Sequence, residues 1–186
     1  MSKRSEQSQA DATCVAAQRG LRVGQEPHTC VVMTAAIRRA TPADAVTSVL
    51  WASRRQAMPW LAERYTEAEA RDWVGRVLLV TAMVWVAVEA GRIVGYAALE
   101  DDVLGQLYVA TECQRQGIGT RLLAIARDAA GSRMSLFVFA RNAGARRFYE
   151  RHGFTAVEES DGSRNEEGEP DVRYEWRMTK SSTGSP

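Results

Sequence analysis

ECQRQGIGTRLL, Glu112 to Leu123, sets Gly117 and Gly119 directly after a hydrophobic run and directly before a helical pattern. Upstream, VLGQLYVA reads as a strand; from Gly117 to Ala130, Ile118, Leu122, Ile125 and Ala129 recur at helical spacing, with Arg121, Arg127 and Asp128 between them. A strand-to-helix loop leaves unpaired amides at the helix N-terminus, where the macrodipole also favours an anion. Glycines at 117 and 119 remove the side chains that would block one, so the stretch predicts a phosphate cradle. It is not a dinucleotide fingerprint, because Gly-x-Gly-x-x-Gly fails at Leu122, and it is not a P-loop, because no Gly-Lys-Ser/Thr follows.

The remaining composition limits what such a cradle serves. With 186 residues, 45% hydrophobic and 25% charged, the chain has material for one core. A net charge of +1, from 24 basic and 23 acidic residues, gives no overall field for nucleic acid or an anionic membrane. The longest nearly apolar run, Val77 to Val88, has 12 residues, against the roughly 20 that span a bilayer, and is expected in a core. Cys14, Cys30 and Cys113 are scattered, and His28 and His152 add no ligand cluster, so no metal is expected and a reducing cytoplasm fits.

Outward from the glycine loop, strand-like and helix-like periods alternate. TAAIRRA predicts a first strand, followed by a helix with Thr41 as N-cap, Pro42 at its first position and Asp44 in its first turn, running to about Arg55. A second helix starts at a capping box, Thr66 and Glu69, with Trp73, Val74 and Val77 on one side. VWVAVEAGRIVGYAALE reads as a hairpin turning at EAGR. After the glycine-loop helix, MSLFVFA has the length and continuous apolarity of a central strand buried on both faces. NAGARRFYERHGF predicts a helix ended by Gly153, with His152 exposed in its last turn, and DVRYEWRM alternates as a half-buried strand. The order is β-α-α-β-β-β-α-β-α-β-β. Residues 1–32 read as a disordered or loosely attached extension, 33–179 as the domain, and 180–186 as a flexible tail.

LYVATECQRQGIGTRLL, with FVFARNAGARRFYERHGF after it, resembles the GNAT superfamily of acyl-CoA-dependent N-acetyltransferases: Gln114, Gly117 and Gly119 fill the Gln/Arg-x-x-Gly-x-Gly/Ala pattern. Asn142, Ala145, Phe148, Tyr149, Gly153 and Phe154 match in order and separation, and the resemblance covers about Thr34 to Met178. It implies an α/β fold, with a mostly antiparallel mixed sheet of six to seven strands, about four flanking helices, and a splay between the fourth and fifth strands. It implies acetyl-CoA as co-substrate, its pantetheine lying along Leu107, Tyr108 and Val109 like an added strand. Gln114, Gln116, Gly117, Ile118, Gly119 and Thr120 would hold the pyrophosphate, mainly through main-chain nitrogens, and Asn142 would touch the cofactor or cap its helix.

Attack by an amine on a thioester needs a neutral nitrogen, an oxyanion donor and a proton for the leaving thiolate. The resemblance gives Tyr149 as the acid and the N–H near Val109 as the oxyanion donor. The family's frequent glutamate base falls at Val103, leaving Glu100, Asp101, Asp102 or a water chain. Acceptors usually enter between the first two helices and the last hairpin: Trp51, Trp60 and Tyr65 would wall a small-amine pocket, the acidic loop 158–171 would draw a cation, and Arg54 or Arg55 a carboxylate. The expected partner is a small-molecule or peptide amine, with a homodimer common in the family. A non-catalytic acyl-CoA sensor of the same fold is the alternative.

Overall fold

A computed structural model describes residues 35–42 and 44–178; the extension expected over 1–32 and the tail over 180–186 lie outside the described residues. One seven-stranded sheet, in the order β1-β2-β3-β4-β5-β7-β6, is built from β1 (Ala36–Arg39), β2 (Met83–Glu89), β3 (Arg92–Glu100), β4 (Val103–Val109), β5 (Arg133–Phe139), β6 (Thr155–Ser160) and β7 (Asp171–Arg177). All neighbours are antiparallel except β4 and β5. The helices are α1 (Val46–Ala57), α2 (Glu67–Trp73), α3 (Leu79–Thr81), α4 (Ile118–Ala130) and α5 (Ala143–Arg151); a π-helical turn, Val74–Leu78, joins α2 and α3 into one rod.

The parallel pair decides the architecture. β4 and β5 pair only at Val103 and Ser135, with the Ser135 N–H donating to Asp102 O at 2.8 Å. Beyond that point the strands part, and β5 continues by pairing with β7 from Arg133 through Phe139. Between β3 and β4 the register shifts at Ala98/Leu99, so Gly105 has no partner and the ladder is bulged just where the gap begins.

Two cores sit on opposite faces. α4 and α5 cover one, where Leu122, Leu123, Ala126, Met134, Leu136, Phe154 and Tyr174 are almost wholly buried. α1 and the α2 rod cover the other through Val46, Val49, Leu50, Val74, Leu78, Val86 and Tyr96. Each such side chain contributes about 1.5–3 kcal/mol by leaving water.

Four expectations need correction. The helix expected from Thr41 begins instead at Val46: the Asp44 carboxylate accepts from the Thr41 N–H at 2.7 Å and from both terminal nitrogens of Arg38 at 2.7 Å, a turn stronger than the cap that was read. The Thr66–Glu69 capping box is present. In the rod it starts, Val74 and Leu78 face the core while Trp73 and Val77 do not, because the π turn rotates the stripe. The Val77–Val88 run is only partly core: Val80 is 74% exposed at the rod's end. Finally, β5 is central but packed on one face only. Met134, Leu136 and Val138 alternate inward, and Phe137 is 59% exposed.

Candidate active site

Alternation in the β3–β4 ladder orients the gap. The Ala110 N–H donates to Val94 O at 2.8 Å, and Gly95 lies opposite Val109, so the amides of Val109 and Leu107 point away from β3, toward the space β5 has vacated. Val109 O is already taken, by Ser53 Oγ at 3.2 Å and Gln114 Nε2 at 3.1 Å. The Gln114 side chain thus ties the loop back to β4. Gln116 likewise donates to Glu112 O.

The glycine loop ends in α4, with Gly117 as its N-cap at φ 80°. That left-handed conformation, reached just after Arg115 at φ 60°, favours a glycine on conformational grounds. No neighbouring atom lies within 4 Å of a Cβ built at 117, so its emptiness is not forced by the protein. At 119 the φ is ordinary and a Cβ would meet Phe148 at 3.6 Å and Val109 Cγ2 at 3.7 Å, contacts the protein tolerates. Position 119 therefore faces the wedge between β4 and α5. The N–H groups of Gly117, Ile118, Gly119 and Thr120 find no acceptor among the described residues, whereas Arg121 N–H closes the first helical bond to Gly117 O at 3.0 Å.

α5 supplies the opposite wall. Asn142 caps it by accepting from Ala145 N–H at 3.1 Å. Tyr149 is 8% exposed, packed edge-on against Phe148 and Phe154, and its hydroxyl has no hydrogen-bond partner among the described residues. Burial, with a smaller contribution from Tyr108, pushes its phenol above the ordinary tyrosine value. His152, expected to be exposed, is half-buried: its Nδ1–H donates to Phe148 O at 2.7 Å, and its Nε2 lies in hydrogen-bond contact with Thr120 Oγ1 at 3.1 Å. This bridge joins the first turn of α4 to the turn of α5 that holds Tyr149. The i, i+4 spacing of Phe148 and His152 was its only trace in the sequence.

On the other face, Tyr108 stacks against Tyr96 with centroids 5.7 Å apart. Burial raises its phenol's pKa, and Arg54 opposes the rise. Burial also disfavours the charge on Arg54, but Glu167 and Tyr108 outweigh this and hold the guanidinium above its usual value. Arg54 Nη2 meets Glu167 Oε1 at 2.8 Å, and Arg55 Nε meets Glu63 at 2.6 Å, so each arginine already faces a carboxylate of this chain. Tyr65 OH donates to Glu166 at 2.8 Å, tying the β6–β7 loop to the segment before α2. Of the candidate bases, Asp101 sits in the β3–β4 turn at φ 52° and Asp102 is paired with Arg133 at 2.5 Å, next to the paired end of the splay. Cys113 is buried, and no cluster of metal-ligating side chains occurs among the described residues.

These features agree with what is found by comparison. Residues 81–156 match the acetyltransferase (GNAT) domain. No match was found among curated protein sequences. Apo YjaB from Escherichia coli superposes with a TM-score of 0.64 at 23% identity, over 77% of this chain and 97% of that one. The PaiA N-acetyltransferase of Thermoplasma acidophilum, solved with coenzyme A, gives 0.61 at 21% identity over 78% and 100%. YncA of Salmonella typhimurium, solved with acetyl-CoA, gives 0.59 at 20% identity over 81% and 98%. The chain shares their fold, and the part of it that matches the GNAT acetyltransferase model runs from β2 into β6.

Proposed function

We propose that the protein, through a domain spanning 33–179, transfers the acetyl group of acetyl-CoA to a primary amine of a small molecule or peptide, by direct attack in a ternary complex. The observation that carries this reading is the coincidence of three unused sets of groups along one gap. These are the amides of Leu107 and Val109 aimed into the splay, the four free N–H groups from Gly117 to Thr120 at its mouth, and the unpartnered Tyr149 hydroxyl in its wall. The thioester carrier would supply an activated acetyl group; Leu107 and Val109 of β4 would pair with its pantetheine, the amides of Gly117 to Thr120 would hold its pyrophosphate, and Asn142, the cap of α5, would stand beside it.

The chain's own residues then divide the work. The Val109 N–H donates to the oxygen that gains charge as the nitrogen attacks. Tyr149, kept protonated by burial, gives its proton to the departing sulfur as the nitrogen–carbon bond replaces the carbon–sulfur bond, and regains through solvent the proton that the acylated nitrogen sheds. The acceptor's ammonium proton leaves through water, because Glu100, Asp101 and Asp102 cluster at the closed end of the splay and Asp102 is held by Arg133. The buried, unpaired thiol of Cys113 suits a reducing cytoplasm.

Release of coenzyme A thiol in the presence of a panel of amines, with the acceptor's mass gain as confirmation, tests the reading. Stabilisation by acetyl-CoA without thiol release from any amine would replace it with a non-catalytic acyl-CoA sensor.

A further inference from the structure

β5 is a central strand, yet its outer face is bare. Phe137 and Phe139 lie beyond Ser135, the residue at which β5 last pairs with β4, so both stand on the splayed length of the strand, on the face away from α5. With Phe137 59% exposed, the two rings floor a concavity of about 480 Å³ that the β6–β7 loop walls. A large aromatic left uncovered in mid-sheet, inside a hollow and beside the gap, is a surface shaped for an apolar ligand.

Charge then narrows the ligand. Of the three acids lining the hollow, Glu158 is held by Arg164 at 2.5 Å and Arg173 at 3.4 Å, and Glu167 by Arg54 at 2.8 Å. Asp171, directly across the ladder from Phe139, takes only the Asn165 amide at 2.8 Å and has no ion pair among the described residues. Arg173, across from Phe137, is itself held by Glu158 and by Glu175 at 3.0 Å. The hollow therefore has one carboxylate outside any direct ion pair among the described residues, with Arg164 near it but bonded to Glu158, beside two aromatic rings.

Resting on the transferase reading above, we infer that this hollow holds the non-reacting part of the acceptor, and that the acceptor is an amine bearing a flat apolar segment and a second positive charge. The flat segment lies on Phe137 and Phe139; the charge faces Asp171, where a carboxylate would be repelled. The hollow adjoins the reaction gap through Glu167, which lines it and holds Arg54 beside Tyr108 of β4.

Five amines separate the two features: p-xylylenediamine has both, benzylamine the ring, hexamethylenediamine the second charge, butylamine neither, and p-(aminomethyl)benzoate a ring with the opposite charge. The kcat/KM for p-xylylenediamine should exceed that for benzylamine by about tenfold and that for the benzoate by about a hundredfold, one partly screened charge interaction per step. Phe137→Ala should erase the advantage of benzylamine over butylamine, and Asp171→Asn that of p-xylylenediamine over benzylamine. A benzoate that equals benzylamine, or a ladder that neither variant changes, overturns the inference and leaves the transferase reading intact. Should no amine release thiol, calorimetry with p-xylylenediamine still decides. Binding that weakens in both variants supports the hollow while the transferase reading falls; no binding, or binding neither variant weakens, overturns the inference.

Discussion

The two sides of the splay are built from different materials. The side that faces α4 and α5 offers main-chain amides and needs small residues to expose them; the side that faces α1 and the β6–β7 loop offers side chains, held by contacts between distant parts of the chain. A carrier common to many reactions is gripped by backbone, which any sequence can supply once glycine clears the way. An acceptor particular to one reaction has to be read by side chains, and here those are Phe137, Asp171 and the Arg54–Glu167 pair.

The sharpest way to break this contrast is to fill the carrier's side without touching the other. Gly119→Trp places an indole in the wedge between Val109 and Phe148, where the protein alone tolerates a Cβ. Acetyl-CoA affinity should fall roughly 1,000-fold, about 4 kcal/mol, while circular dichroism and Tm stay near wild type. Unchanged affinity by calorimetry would remove the carrier from this wedge.

Next in size is a comparison within β5 itself. Leu136 is 1% exposed in the α4/α5 core and Phe137, its neighbour, looks out. Leu136→Ala should cost about 3 kcal/mol in urea unfolding, by lost transfer and a residual cavity, whereas Phe137→Ala should cost no more than about 0.5 kcal/mol. Similar losses at both positions would mean that the Phe137 face is packed in solution and not open to an acceptor.

Tyr149→Phe asks whether the hydroxyl is there for packing or for chemistry. Since it has no partner among the described residues, its removal should leave stability unchanged or slightly raised, an outcome contrary to that for a structural hydrogen bond. Turnover with the best amine should fall about 100-fold, with the acetyl-CoA Kd within about twofold of wild type. Equal kcat would retire Tyr149 as the proton donor.

Legibility in the sequence follows the same division. The order of strands and helices, the Thr66 cap and the Asn142 cap all depend on neighbours a few residues apart, and periodicity or local motifs carry them. The single covered face of β5 was not legible, because an apolar run reads alike whether its second face meets a helix or a ligand. Nor was the pairing of Arg54 with Glu167, 113 residues downstream. The Thr41 cap failed for a related reason: Arg38, in the preceding strand, draws Asp44 into a turn that local propensity does not contain. What the chain does with its backbone leaves a trace in residue type; what it does with distant side chains leaves almost none.

Gly117→Ala tests the smallest term. At φ 80° an alanine costs about 1 kcal/mol, and because no neighbouring atom lies within 4 Å of the new Cβ, that cost should be purely conformational. Tm should drop by a few degrees. Acetyl-CoA affinity should fall less than about fivefold, since the amides of Ile118 to Thr120 keep their direction once the helix has started. An affinity loss rivalling that of Gly119→Trp would show that the anion rests against residue 117 itself, and that its bareness matters beyond the turn it permits.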